Sequence, residues 1–347
     1  MSYRIGVVRG DGVGPEVVSE SLKVLKAAGL EAEFVEYDLG GERYLATGEV
    51  LPDSVLEEWK GLDAILLGAV GHPAVPPGVL ERGLLLKARF SLDLYINLRP
   101  VRLLPGVPSA LANRGPSDID FVVVRENTEG MYSGAGGFLR ENQSEEVAVE
   151  NSINTAAGVR RCVKYAFNLA ETRSRKQLCV VHKANVLIHA GVMWKRVFDQ
   201  VASDHPSVET WYCHVDAAAL HMVLTPSRFD VIVTDNLFGD ILTDLGAAIS
   251  GGLGFAASGN INPDTRLPSI FEPVHGSAPD IAGTGKANPI AAILSAAMML
   301  DHIGERDMAR RIHLAVEQFC KEHPVRPDGT FEVSTSEVGD IIAAALG

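Results

Sequence analysis

An apolar, β-branched run, Phe229-Asp-Val-Ile-Val-Thr234, breaks into Asp235-Asn-Leu-Phe-Gly239 and then Asp240-Ile-Leu-Thr-Asp244-Leu. The run predicts a buried strand, Gly239 a break, and the residues from Asp240 the first turns of a helix. A strand feeding a helix is the building unit of parallel sheets with crossover helices, so this stretch narrows the fold class sharply. Asp240 and Asp244 stand four apart and share one helix face. Carboxylates held side by side repel. Residues 229–265 contain Asp230, Asp235, Asp240, Asp244 and Asp264 but no Lys or Arg, so this stretch supplies no cation of its own. A hard divalent ion, Mg²⁺ or Mn²⁺, suits such oxygen ligands. The alternative is two acids favoured by the dipole of the helix N-terminus. Spacing alone leaves both open.

The same strand-to-helix alternation runs through the first part of the chain. Ile5-Gly-Val-Val8 reads as a strand, and Gly10-Asp-Gly-Val-Gly-Pro15-Glu16 as a tight turn into a helix that Gly29 stops. Pro15 stands where a dinucleotide fingerprint needs its third Gly, so no Rossmann claim is made. Residues 33–37 and 63–67 read as strands, with a helix over 52–59 between them. Residues 79–94 read as a helix, 290–302 as a buried helix, and 336–346 as a last helix after a loop marked by Pro324, Pro327 and Gly329. This alternation predicts a largely parallel sheet, and 347 residues favour two domains over one.

Charge excludes several functions. Lys and Arg number 31 against 44 Asp and Glu, a net charge of −13. That argues against nucleic-acid and membrane partners. Four scattered Cys without a C-x-x-C motif read as reduced core thiols. Residues 1–8 run straight into a strand with no visible signal peptide, and a cytoplasmic location is expected.

Against this acidic background, Arg82, Lys87, Arg89, Arg99 and Arg102 face a single acid, Asp93. Local positive charge of this kind suits a small polyanion, since a guanidinium binds carboxylates bidentately; the alternative is a solvated basic face. Three strands deliver polar residues at their C-terminal ends, where α/β sheets bind ligands. Residues 120–124 lead into Arg125-Glu-Asn-Thr-Glu-Gly130, residues 177–181 into His182-Lys183-Ala-Asn185, and residues 229–234 into Asp235. The apolar neighbours Ala184, Val186 and Leu187 predict a partly buried Lys183. Asp216, in Val215-Asp-Ala-Ala-Ala-Leu-His221, is a first-turn acid or a third metal ligand.

Taken together, the motifs resemble the β-decarboxylating dehydrogenases, which act on isopropylmalate, isocitrate, homoisocitrate and tartrate. The resemblance rests on Gly10-Asp-Gly-Val-Gly-Pro-Glu16, Asn97-Leu-Arg-Pro100, Val124-Arg-Glu-Asn-Thr-Glu-Gly130, His182-Lys-Ala-Asn-Val186, Asp235-Asn-Leu-Phe-Gly-Asp240 and Glu272-Pro-Val-His-Gly-Ser-Ala-Pro-Asp280. It runs nearly end to end. Residues 78–89 look most like the actinobacterial isopropylmalate type. Two departures stand out: Arg9, where a small or apolar residue is usual, and Asn127-Thr128, a spelling shared with homoisocitrate and tartrate members.

The resemblance implies an α/β, two-domain, isopropylmalate dehydrogenase-like fold with an open mixed sheet, not a Rossmann fold. Residues 1–94 and 251–347 would form a terminal, cofactor-side domain, and residues 95–250 a central domain for dimerisation and metal. It implies a homodimer with shared active sites, NAD as cofactor, and Mg²⁺ or Mn²⁺. Arg89, Arg99 and Arg125 would hold substrate carboxylates. Asp240 and Asp244, with Asp216 from the other subunit, would hold the metal and the substrate around it. Lys183, also from the other subunit, would act as base and Tyr132 as acid. Leu85, Leu86 and the other subunit's Val186 would face the 3-substituent of a malate. Glu272, His275, Gly276, Ser277, Ala278, Asp280 and Asn288 would hold NAD, with Asp280 disfavouring NADP. The expected activity is oxidative decarboxylation of 3-isopropylmalate in leucine biosynthesis. Another 3-substituted malate, tartrate or homoisocitrate is the alternative substrate. A catalytically silent regulatory subunit is the alternative class, and such chains lose a Tyr, Lys or Asp that this one keeps.

Overall fold

The computed structural model describes residues 2–264, 267–326 and 328–347. Pro327 lies outside the described residues. The strands in chain order are β1 (Tyr3–Val8), β2 (Ala32–Tyr37), β3 (Ala64–Leu67), β4 (Ile96–Arg102), β5 (Asp120–Glu126), β6 (Gly136–Leu139), β7 (Val147–Glu150), β8 (Gln177–His182), β9 (Glu209–His214), β10 (Val231–Thr234), β11 (Ala257–Ile261) and β12 (Ser269–Pro273). Two compact units divide the chain. One holds Met1–Leu94, Arg99–Ile119 and Ala247–Gly347; the other holds Tyr95–Leu98 and Asp120–Gly246.

In the first unit the strand order is β2-β1-β3-β12-β11. All neighbours are parallel except β11, which runs antiparallel to β12. That mixture is the open sheet of the expected fold class. β3 is buried along its whole length, Ala-Ile-Leu-Leu, which is why it shows no alternation of apolar and polar residues. The helix Ile290–His302 is apolar on nearly every side because residues 290–297 are all buried. Segment 99–119, which the resemblance groups with the central residues, falls in the first unit. Leu103 N–H donates to Ile119 C=O at 3.0 Å, and Ser109 Oγ to Ile249 C=O at 2.6 Å.

Two local features differ from the sequence reading in instructive ways. Residues 79–94 do not form one helix: Glu81–Leu86 winds as a π-helix and Lys87–Ser91 as an α-helix. A π-turn is a rare, costly winding that accompanies functional sites. Lys87 pins this junction by donating to Leu51 C=O at 2.8 Å and to Asp53 at 2.6 Å.

In the second unit the order is β5-β10-β8-β9, all parallel. β6 and β7 form a separate antiparallel hairpin. Here the other difference appears. The helix after β10 spans Asn236–Ile249, so Gly239 lies inside it and does not mark its start. A Cβ at Gly239 would stand 2.5 Å from Cγ of Arg125. Gly239 is therefore a passage for the Arg125 side chain, and Asp235, accepting Phe238 N–H at 2.8 Å, caps the helix start.

Candidate functional site

In the second unit, parallel strands bring their C-terminal ends to one edge, and the polar residues read from the sequence follow those ends. Arg125 closes β5 and is only 1% exposed. Its Nε donates to Asn236 Oδ1 at 2.9 Å, and its Nη1 donates to Asp240 Oδ1. The cation that the acidic stretch 229–265 lacks thus arrives from a neighbouring strand. Tyr132 Oη donates to the second Asp240 oxygen at 2.6 Å, and the Arg125 guanidinium lies 5.0 Å from the Tyr132 ring centre. Burial, followed by the Asp240 carboxylate, pushes the Tyr132 phenol above its ordinary pKa, so it keeps its proton. Asn236 reaches back to Glu129 C=O at 3.1 Å and ties the loop after β5 to the helix.

Lys183 follows β8, and Asp216 opens the helix Val215–Leu224 after β9. Lys183 Nζ donates to Asp216 Oδ1 at 2.6 Å. The ammonium beside it holds the Asp216 carboxyl below the usual range. Asp216 is 67% exposed at its side chain and Lys183 25%. Asp244 is exposed one turn beyond Asp240. Among the described residues, no three or more His, Cys, Asp or Glu side chains of this chain gather to hold a metal. The donor chemistry nevertheless fits a hard cation. All three Asp offer carboxylate oxygens, the ligand type such an ion takes.

Behind these groups lies a buried pair. His182 Nε2 is 3.6 Å from Asp235 Oδ2, between the rings of Trp194 and Phe238. Burial pushes His182 down to about 4 and Asp235 up to about 6. Glu126 is buried beside them and accepts the Thr128 and Glu129 N–H groups at 2.9 and 2.7 Å. Nothing in the local spacing of Glu126, Asn236 or His182 announces these roles; their partners lie on other strands.

Two cavities among the described residues of the first unit bear on the site. The smaller, about 140 Å³, is lined by Leu85, Arg89, Arg99, Glu272, His275 and Gly276 with Gly68, Ala69, Val70, Ser258, Pro273 and Val274. Arg89 and Arg99 are both buried. Glu272 lies 3.5 Å from Arg89 and accepts from Asn260 Nδ2 at 2.8 Å. Leu85 is thus in the cavity that holds both arginines, whereas Leu86 is half-buried and does not line it. Leu84, the third leucine of the run, belongs to the core.

The larger cavity, about 540 Å³, is lined by His275, Ala278 and Asn288 together with Lys286, Arg326 and the glycines 251, 252 and 254. Burial lowers the His275 pKa, which favours a neutral imidazole. Ser277 is buried and accepts Val13 N–H at 2.8 Å, so it shapes the turn against the Gly10–Gly14 loop. A Cβ on Gly12 would meet that same Ser277 oxygen at 2.0 Å, which explains the glycine. Asp280 is exposed and lines neither cavity. Neither Lys286, in a Thr284-Gly285-Lys286-Ala287 run that fails the Walker phosphate-loop pattern, nor Arg326 stands in a motif that points to a ligand. Arg9 proves structural: it grips Glu36 with Nε and Nη2 at 3.1 and 2.7 Å. Val186 is exposed on the second unit, beside Leu187 and Ile188.

With this geometry in hand, likeness to known proteins can be stated. A family model described as isocitrate/isopropylmalate dehydrogenase matches residues 4–342. A 3-isopropylmalate dehydrogenase of Thermobifida fusca (strain YX) is 56% identical over 346 residues, covering 99% of this chain and 97% of that one. One of Nocardia farcinica (strain IFM 10152) is 58% identical over 343 residues, covering 99% and 100%. The crystal structure of isocitrate dehydrogenase from Methylococcus capsulatus superposes with a TM-score of 0.90 at 35% identity, covering 99% of each chain. Among the described residues no helix is long and apolar enough to cross a membrane.

Proposed function

The chain belongs to the isocitrate/isopropylmalate dehydrogenase family, and on that premise we propose that it oxidises 3-isopropylmalate with NAD and decarboxylates it to 4-methyl-2-oxopentanoate, in the cytoplasm, for leucine biosynthesis. The observation that carries the substrate is the company kept by Arg89 and Arg99. Beside them stand the apolar side chains of Leu85 and Val70 and the carboxylate of Glu272, with Ser258 and His275 also in the lining. An isopropyl group placed there gains roughly 25 cal/mol per Å² buried. A carboxylate placed against Leu85 and Val70 loses hydration and meets no polar group on them, at a cost of a few kcal/mol or more.

In this reading Arg89, Arg99 and Arg125 hold the two carboxylates of the malate core. Asp240 and Asp244, with Asp216 of a second subunit, hold Mg²⁺ or Mn²⁺. When bound, NAD accepts the hydride from C2, and the divalent cation offsets negative charge on the 2-oxygen. Lys183, as the neutral amine, takes the hydroxyl proton as the C2–H bond breaks. The bond from C3 to its carboxylate then breaks, CO₂ leaves, and the electron pair passes into an enolate. Tyr132 returns a proton to C3; the raised phenol pKa suits a group that must arrive protonated. His275, Ala278 and Asn288 are the residues proposed to touch NAD from the larger cavity, with Glu272 and Gly276 on the smaller one and Ser277 shaping the turn. Asp280 is proposed to meet the adenosine ribose and to repel the 2′-phosphate of NADP.

We further propose a homodimer. Exposed apolar side chains crowd the second unit: Val186, Ile188 and Val192, Leu220, Val223 and Leu224, and Ile241. A surface this apolar ordinarily marks an interface. It surrounds Lys183 and Asp216, which supports a site completed by two chains. The test is competition among 3-isopropylmalate, isocitrate, homoisocitrate, tartrate and malate, each with NAD and NADP. The expected result is the highest kcat/KM for isopropylmalate with NAD. A higher value for isocitrate or tartrate overturns the substrate, and equal use of NADP overturns the cofactor choice.

A further inference from the structure

We propose that Tyr212 is the positioning residue for Lys183, an inference that rests on the reading of Lys183 as the base. Tyr212 lies on β9, paired with Val180 of β8, two residues before β8 ends at His182. The ladder ends with the pair His182–His214, and the backbone carrying Lys183 must be fixed by other means. One phenol does this on both sides of Lys183. Tyr212 Oη donates to His182 C=O at 3.1 Å and accepts Ala184 N–H at 3.0 Å. It also lies 2.9 Å from His214 Nδ1. A phenol has one proton and two lone pairs. Donation to His182 and acceptance from Ala184 leave one lone pair, so the geometry assigns a proton to His214 Nδ1 and saturates the hydroxyl.

The opposite side is equally tight. A Cβ on Gly191, in the helix Ile188–Ala202, would stand 2.5 Å from Cα of Ala184. Ala184 is therefore held between Gly191 and the Tyr212 hydroxyl. Lys183 C=O is also engaged, accepting Val186 N–H at 3.0 Å and Leu187 N–H at 2.8 Å. Four residues after Tyr212, the same strand-to-helix connection supplies Asp216, the carboxylate that Lys183 contacts. One residue thus ties the base to the element that carries its acid. Tyr212 touches no atom proposed to react. Its effect is to fix where the Lys183 amine arrives, and misplacement of a base by about 1 Å costs on the order of 10²-fold in rate.

The test compares Tyr212→Phe, Lys183→Ala and the double variant by steady-state kinetics with isopropylmalate, NAD and Mg²⁺, alongside thermal unfolding. Phe keeps the ring and removes only the hydroxyl. The expected result for Tyr212→Phe is a kcat about tenfold or more below wild type, with both KM values within about twofold and the folded state retained. In the Lys183→Ala background the same change should cost nothing further, because there is no amine left to misplace. Wild-type kcat in Tyr212→Phe overturns the proposal. So does an equal fold-loss in both backgrounds, which would mean that Tyr212 acts independently of Lys183. Should Tyr212→Phe fail to fold, Gly191→Ala displaces Ala184 from the other side and must show the same loss confined to kcat and absent in Lys183→Ala. If Lys183→Ala itself keeps wild-type kcat, the assignment of the base fails, and the positioning role with it.

Discussion

Two clusters in the second unit carry the proposed chemistry, and they are built oppositely. Arg125, Tyr132 and Asp240 interlock around a guanidinium that is almost wholly buried, and Asn236 ties them to the loop after β5. Lys183 and Asp216 pair with each other at their charged ends, and the nearby side chains of Val186, Ile188 and Leu220 are exposed and apolar. The first cluster is finished by its own chain. The second pairs charge with an apolar rim, a combination that gains little in water, since an exposed ion pair is worth about 0–1 kcal/mol and exposed apolar area costs free energy. On the proposed reading, the difference teaches how one sequence would encode a shared site: the half used at home is cross-bonded, and the half offered to another chain is left at the surface.

The largest expected effect comes from breaking the finished cluster. Asp240→Asn keeps one of the two acceptor oxygens that Arg125 and Tyr132 use and removes the charge that the guanidinium and the proposed metal both need. We expect kcat to fall about 10²–10⁴-fold, with a cooperative unfolding transition retained. Excess chelator should silence the wild type to a similar degree. Full turnover in chelator, or in Asp240→Asn, would remove Asp240 from the metal set.

Much of this arrangement was legible in the sequence, and the gaps have physical causes. β10 and the helix Ile290–His302 could be read because continuous apolar runs are what doubly covered strands and buried helices require. The ends of β5, β8 and β10 could be read because polar residues follow them at once. Gly239 could not, because its reason, the Arg125 side chain, lies on another strand. The sequence treated the acids at 229–265 as lacking a cation for the same reason. The π-turn at Glu81–Leu86 was hidden because its composition equals that of an α-helix. Tyr212 gave no signal at all: a Tyr in a strand is ordinary, and only the register of β8 and β9 puts its hydroxyl against the backbone of His182 and Ala184, on either side of Lys183.

A smaller effect sharpens the contrast between buried and open. Burial raises the folded Asp235 carboxyl from 3.8 to about 6, so its bound proton stabilises the fold. That contribution is full below pH 3.8 and is lost as pH rises through about 6, a change of about 3 kcal/mol. His182, pushed down to about 4 from 6.5, runs the other way: its contribution is full above pH 6.5 and is lost as pH falls through about 4. The two nearly cancel in the wild type. Asp235→Asn removes one side only, so urea unfolding at a series of pH values should show stability climbing from pH 4 to 7 in the variant while the wild type stays nearly level. Parallel pH profiles for the two proteins would contradict a buried, titrating Asp235.

The claim that the open pair serves a second chain is tested most directly by subunit exchange. Lys183→Ala and Tyr132→Phe are each expected to be nearly inactive. Mixed under conditions that let subunits exchange, random pairing makes about half the dimers hybrids, each with one intact site of two, so about a quarter of wild-type activity should return. That recovery is what the account predicts. Confirmed exchange with no activity above that of the separate variants would mean that Lys183 and Tyr132 act within one chain, and the shared-site account would be wrong.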